Sequence, residues 1–211
     1  MIRKDIKEFV SSLPKNVTLV AATKYIGVED MEVLLENGVN NFGENRTDSF
    51  LTKYNVLHSK GAIWHFIGHL QRNKANDVIN KIDYLHSLDS LKLAELIEQK
   101  RKKPLKCFVE VSINLEESKN GVPYYEVKQF IKDILKFKNI KLVGLMMMAI
   151  KESNENSLNQ QFAKLRNLRD EIEKEFNIKL PYLSMGMSDD YKEAIKEGAT
   201  HIRLGRILYN L

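Results

Sequence analysis

Eight short runs of strand-forming residues recur along this chain, with a helical pattern between consecutive runs. The runs fall at 17–23, 41–43, 63–68, 84–88, 106–113, 141–148, 182–186 and 201–205. Helical patterns cover 28–37, 46–57, 71–80, 90–102, 124–136 and 189–197. The clearest is the stripe Leu158, Phe162, Leu165, Leu168, Ile172 and Phe176, spaced by threes and fours, which reads as a core-packing face. Parallel strands need a crossover between them, usually a helix, so strict alternation predicts a parallel sheet. Eight such units favour closure into an α/β, single-domain (β/α)8 barrel over residues 1–211, near the lower length limit for that fold. Only 206–211 follow the last run, too few for a full helix. The pattern Ile2, Ile6, Phe9, Val10 is therefore expected to fill the missing place in the outer ring. An open doubly wound sheet is the alternative, but no G-x-G-x-x-G or P-loop follows the first strand.

Composition excludes several function classes. With 43% hydrophobic and 29% charged residues the chain reads as an ordinary globular domain. No apolar stretch reaches the length of a membrane span, and the N-terminus lacks a signal-peptide core, so neither membrane nor secretion is expected. The net charge of +5 is mild. Its densest basic run, Lys100–Lys103, has no interleaved aromatics and reads as a solvated helix end rather than a nucleic-acid surface. The single cysteine, Cys107, sits in an apolar run and reads as a buried, inert thiol. With no intrachain disulfide possible, a cytoplasmic location is expected.

One lysine stands out. Lys24 ends the run Val17-Thr-Leu-Val-Ala-Ala-Thr-Lys24, which is otherwise apolar or small. The run reads as a fully buried strand, where a lysine is rare unless paired or used. Strand parity puts His201, Arg203 and Gly205 on one face and Ile202 and Leu204 on the other. The apolar pair should face the helices, so Arg203 is expected to point into the barrel. Strands one and eight are neighbours in a closed barrel, which brings Lys24 and Arg203 to one mouth. Four strands end in glycine (Gly43, Gly68, Gly186, Gly205), as if the backbone must let something approach closely.

A lysine nucleophile, a buried arginine and glycine-ended strands together suit pyridoxal phosphate. The amine would form a Schiff base with the aldehyde, and N–H groups at Gly205 and Arg206, with the Ser184 hydroxyl, would hold the phosphate. Arg203, a donor only, would keep the pyridine nitrogen unprotonated and the ring a poor electron sink. The competing reading is that Lys24 and Arg203 simply pair with carboxylates such as Glu44 or Glu110. Ser188 reads as a helix cap with Asp189 and Asp190 in the first turn. His65 and His69 lie four apart, but the strand pattern and Gly68 break helical spacing, and no metal site is expected.

The block Trp64-His-Phe-Ile-Gly-His-Leu-Gln-Arg-Asn-Lys74 resembles the signature of the YggS/PROSC family of pyridoxal phosphate homeostasis proteins. Ala22-Thr-Lys24, Phe42-Gly-Glu-Asn45, Ser118-Lys-Asn-Gly121, Gly144-Leu-Met146, Leu183-Ser-Met-Gly-Met-Ser-Asp-Asp190 and Ile202-Arg-Leu-Gly205 follow the same family in order. The resemblance implies a barrel like the alanine racemase N-terminal domain, with pyridoxal 5′-phosphate held as an internal aldimine on Lys24. It implies Arg203 near the pyridine nitrogen, and Ser184, Gly205 and Arg206 near the phosphate. Asn45 and Met146 would lie around the ring, with His65 and Ile67 on a strand lining the site. Arg206 stands where the family usually has a small or hydroxylated residue, and Leu208-Tyr-Asn210 replaces the usual Ile-Phe-Gly.

Racemisation in alanine racemase needs two bases, the second a tyrosine from another domain and subunit. The eight tyrosines here give no obvious replacement, Tyr25 beside the lysine excepted. The expected role is therefore a monomeric, non-enzymatic cofactor carrier, with no catalytic residues, that passes the cofactor to apoenzymes requiring it. A weak racemase is the alternative, and an aldolase using a lysine imine without cofactor is a third possibility.

Overall fold

The computed structural model describes residues 1–113 and 120–209. Ser118 and Lys119 of the Ser118–Gly121 motif, and Asn210 of the closing segment, lie outside the described residues. The strands are β1 (Thr18–Ala22), β2 (Asn41–Glu44), β3 (Ile63–Phe66), β4 (Tyr84–Leu88), β5 (Leu105–Ser112), β6 (Val122–Pro123), β7 (Ile140–Met146), β8 (Tyr182–Ser184) and β9 (His201–Leu204). The helices are α1 (Ile6–Ser12), α2 (Val28–Glu36), α3 (Thr47–Leu57), α4 (Arg72–Val78), α5 (Leu91–Lys100), α6 (Val127–Ile134), α7 (Glu155–Phe176) and α8 (Tyr191–Lys196). All eight expected strands are present. They pair in the order β4-β3-β2-β1-β9-β8-β7-β5, and β4 pairs with β5 to close the barrel. Every pairing between these strands is parallel. The two-residue β6, which the sequence did not suggest, extends the sheet beside the end of β5.

Alternation along each strand divides the inside from the outside. Leu19, Ala21, Phe42, Trp64, Phe66, Leu85, Val109, Leu145, Leu183, Ile202 and Leu204 are buried in the main core between sheet and helices. Each leucine, isoleucine, valine or phenylalanine among them contributes roughly 1.5–3 kcal/mol by leaving water. Leu158, Phe162, Leu165, Leu168 and Ile172 of α7 join that core, as their spacing predicted. The barrel lumen has its own small apolar group, Phe108, Val143 and Met146, with Tyr84 and Tyr182 packed on it. Cys107 is buried, and its thiol lies 3.4 Å from the Leu105 carbonyl.

The two chain ends meet. Ile2 bridges Tyr209 in antiparallel fashion, and Phe9 of α1 packs edge-on against Tyr191 at the start of α8. The N-terminal helix thus takes the expected place in the outer ring. The basic run after α5 differs from the expectation of a wholly solvated end. The Arg101 guanidinium reaches back to the Ile79 carbonyl at the end of α4 and to the Lys103 carbonyl. A helix end leaves such carbonyls without internal partners, and Arg101 satisfies one of them. No helix among the described residues is long and apolar enough to cross a membrane.

Candidate functional site

β1 stops at Ala22, and the chain turns there, with the Ile26 N–H donating to the Thr23 carbonyl at 3.1 Å. Lys24 therefore leaves the sheet and is exposed, which corrects the expectation of a buried strand lysine. Its Nζ lies 4.4 Å over the ring of Tyr25, which is itself exposed. Lys24 forms no ion pair among the described residues. Interaction with Lys24, and then the charges of Arg46 and Arg206, draw the Tyr25 phenol below its ordinary pKa.

What is buried is the support under this lysine. Lys53 of α3 donates to the Thr23 carbonyl at 2.6 Å and to Glu44 Oε1 at 2.5 Å. The Thr23 hydroxyl donates to the same carboxylate oxygen at 2.5 Å. The Tyr209 hydroxyl donates to the Ala22 carbonyl at 2.9 Å. Both backbone carbonyls preceding Lys24 are thus fixed by side chains from elsewhere in the fold. Glu44 is engaged by Lys53 and not by Lys24, so the simple pairing of Lys24 with Glu44 does not occur. The second carboxylate oxygen of Glu44 is buried with no hydrogen-bond partner among the described residues.

Arg203 points into the lumen, as parity required, and is buried. Its Nη1 donates to Ser184 Oγ at 2.6 Å and its Nη2 to the Met147 carbonyl at 2.9 Å. No carboxylate of the described residues lies within ion-pair distance of it. Burial lowers its pKa to about 10, while Glu110 and Asp190 act in the opposite direction from farther off. Glu110 offsets its charge only in part near neutral pH. Burial, and then the charge of Asp89, raise the Glu110 carboxyl to about 7 against the pull of Arg203. Burial comes first for His201 too, and with Arg203 and Lys106 it lowers that imidazole to about 4.

Of the two serines in the Leu183–Asp190 motif, Ser184 lies in the lumen and Ser188 departs from its expected place at the helix start. Ser184 ends β8 facing the lumen, fully buried between Arg203 and the Nδ1 of His86 (2.7 Å). Ser188 does not cap α8. Asp190 holds that position and accepts the Met187 N–H at 2.5 Å. The Ser188 hydroxyl instead accepts from the N–H of Gly205 at 3.3 Å and of Ile207 at 3.4 Å. The glycine pattern also divides. A Cβ at Gly68 would lie 2.3 Å from the Asn45 carbonyl oxygen, and Gly43 and Gly186 are likewise crowded by the protein's own atoms. At Gly205 the nearest neighbours would be an ordinary 3.6 Å away. Only there does the protein leave the room that the pattern suggested.

The family model of the alanine racemase N-terminal domain matches residues 1–211. The chain belongs to this family. It is 39% identical over 194 residues to the pyridoxal phosphate homeostasis protein of Aquifex aeolicus (strain VF5), covering 90% of this chain and 85% of that one. PipY of Synechococcus elongatus PCC7942, solved with PLP bound, superposes with a TM-score of 0.91 at 28% identity, over 97% of this chain and 100% of PipY. Alanine racemase of Clostridium difficile 630 shares the barrel, with a TM-score of 0.79 at 17% identity, over 99% of this chain and 57% of the racemase.

In this member of the alanine racemase N-terminal domain family, the remaining expected residues fall at two depths. Asn45 and Ile67 follow the ends of β2 and β3, half-buried at the rim, and Met146 ends β7 facing the lumen. Arg206 is exposed beside Gly205 and pairs with Asp189. His65 lies deeper. It is fully buried, stacked on Tyr84 with centroids 4.5 Å apart, and its Nε2 contacts Asn41 at the entry of β2. His69, which the sequence placed four residues on, is outside the lumen and paired with Asp89. The Trp64–Lys74 signature thus supplies both the lumen floor and, with Arg46, a polar cleft of about 350 Å³ at the rim lined by His69, Gln71 and Lys74. Sequence reasoning missed His86, Ser188 and the Lys53–Glu44 pair. The alternation Tyr84-Leu-His-Ser-Leu88 carried a signal for His86, whose inward face is that of Tyr84.

Proposed function

We propose that this chain binds pyridoxal 5′-phosphate covalently through Lys24 and serves in its homeostasis as a carrier and buffer, delivering it to apoenzymes that require it. The observation that carries the reading is an amine that has no acidic partner among the described residues, on a fixed backbone, beside a lumen whose arginine has no adjacent carboxylate among those residues. An anionic ligand suits that field. Gly205, the least crowded of the four strand-end glycines, and the Ser188 hydroxyl suit a phosphate. When bound, the cofactor supplies an aldehyde and an electron-withdrawing ring.

In this reading Lys24 forms a C=N bond with the aldehyde, releasing one water. Arg203 donates toward the pyridine nitrogen. The Arg206 N–H and the Ser188 hydroxyl, itself held by the Gly205 N–H, hold the phosphate, with Ser184 acting behind Arg203 rather than on the phosphate. Asn45, Ile67 and Met146 border the ring, and His65 lies beneath. The protein works as a monomer in the cytoplasm. The test is the visible absorption of the purified protein with added pyridoxal phosphate, followed by borohydride reduction and mass mapping. The adduct is expected on Lys24, and Lys24→Ala is expected to lose the visible band while keeping its fold. A colourless wild type, or an adduct on another lysine, rejects the reading.

The contact of Lys24 with Tyr25 favours a second reading, a weak racemase in which the phenol is the partner base. Saturable exchange of the amino-acid α-hydrogen with solvent, lost in Tyr25→Phe, is the result that would establish it over the carrier.

A further inference from the structure

A continuous hydrogen-bonded chain crosses the lumen beneath Arg203. Arg203 donates to Ser184 Oγ (2.6 Å), Ser184 Oγ lies 2.7 Å from His86 Nδ1, His86 Nε2 lies 2.9 Å from His65 Nδ1, and His65 Nε2 lies 2.9 Å from Asn41 Oδ1. Each of these residues except Asn41 is buried, with Ser184, His65 and His86 fully so. An arginine cannot accept a hydrogen bond, so the first link has one direction only. Ser184 accepts from Arg203, and among the described residues the His86 nitrogen is the one acceptor within hydrogen-bond distance of its own proton. If His86 Nδ1 carried the hydrogen instead, Ser184 would receive two donors and its buried hydroxyl proton would have no acceptor, a costly arrangement. Ser184 therefore donates to His86 Nδ1, which puts the His86 hydrogen on Nε2. That hydrogen goes to His65 Nδ1, and the His65 hydrogen on Nε2 goes to Asn41.

We propose that His86 and His65 are positioning residues, locked as Nε2–H tautomers, which together with Ser184 form a one-way relay that aims the Arg203 guanidinium at the ring nitrogen of the ligand. The aim rests on the pyridoxal phosphate reading; the tautomers do not. The relay needs uncharged imidazoles, since a hydrogen on both nitrogens of either ring breaks the direction. Burial, and then neighbouring positive charges, push both histidines well below their ordinary range. The second anchor, from Arg203 Nη2 to the Met147 carbonyl, leaves the other guanidinium N–H groups for the ligand.

Two measurements test this. In the free wild-type protein, nitrogen-15 NMR of the imidazoles is expected to find hydrogen on Nε2 of both His65 and His86; hydrogen on Nδ1 of His86 overturns the relay. His86→Phe keeps a ring against Phe108, where the native ring centroids are 4.4 Å apart, but removes the acceptor for Ser184. It is expected to weaken pyridoxal phosphate binding about tenfold and to shift the visible band of the bound form. His86→Asn restores an acceptor near the Nδ1 position and is expected to recover most of both. If the two variants bind alike at wild-type strength with an unshifted band, the positioning role is wrong even though the cofactor binds. If the wild type itself fails to bind, the functional reading falls, and the NMR result alone still decides the relay.

Discussion

Two buried cations of this molecule are satisfied in opposite ways. Lys53, under the end of β1, has a carboxylate at 2.5 Å and a backbone carbonyl at 2.6 Å. Arg203, in the lumen, has a hydroxyl and a backbone carbonyl but, among the described residues, no adjacent carboxylate. The first arrangement is closed and neutral, and ties α3 to β1 and β2. The second leaves a positive field facing the mouth, because no described carboxylate lies against it and Glu110, raised to about 7, is only partly charged near neutral pH. A buried charge with its own counter-ion is scaffolding. One that lacks a counter-ion is poised for an anion from outside.

Four measurements break or sharpen that contrast. The largest effect belongs to the closed pair. Lys53→Met leaves Glu44 buried and unpaired, and chemical denaturation is expected to register a loss of about 3–5 kcal/mol. A loss below about 1 kcal/mol means the pair is not holding the strand end. Next is Glu110. Its carboxyl titrates near 4.5 when unfolded and at about 7 when folded, so the folded state holds its proton longer. This acid imposes no penalty below about pH 4.5; one grows as pH rises to about 7 and is constant above, reaching at most about 3 kcal/mol. Glu110→Gln is expected to flatten stability over that window, and an unchanged slope rejects the assignment. Third, Arg203→Ala is expected to weaken pyridoxal phosphate retention at least about tenfold, a loss of about 1.4 kcal/mol, while Lys102→Ala on the exposed surface leaves it intact. Equal retention in the two variants removes Arg203 from the site. The smallest is Tyr209→Phe, which deletes only the bond to the Ala22 carbonyl and is expected to cost about 1 kcal/mol in thermal unfolding without altering the lumen.

Most of the barrel was legible in the sequence because alternation reports directly on burial. Parity alone put Arg203 inside, and the spacing of apolar residues placed α7. What escaped was set by partners distant in sequence. Lys24 was expected to be buried because nothing local says that β1 ends at Ala22; the stop is reinforced by Lys53, thirty residues away. The same limit applies to the serines. Ser184 ends β8 pointing inward, whereas Ser188 follows the left-handed turn at Gly186 (φ 92°), which redirects the chain toward Gly205. The local pattern made Ser188 a helix cap, and only the turn puts it beside the Gly205 N–H instead. The strand-end glycines were overread for a related reason, since the close approach at Gly68 is that of the Asn45 backbone.

The lone cysteine of β5 has a practical consequence. Burial raises the Cys107 thiol far above its ordinary pKa, and the side chain has no solvent exposure. A thiol-reactive dye can reach it only during excursions that separate β5 from its neighbours, so the labelling half-time is a clock for barrel breathing. A ligand that bridged the ends of β1 and β9 and bound only the closed barrel would lengthen that half-time by the factor 1 + [L]/Kd, making the thiol an intrinsic, silent reporter of loading that needs no engineered probe.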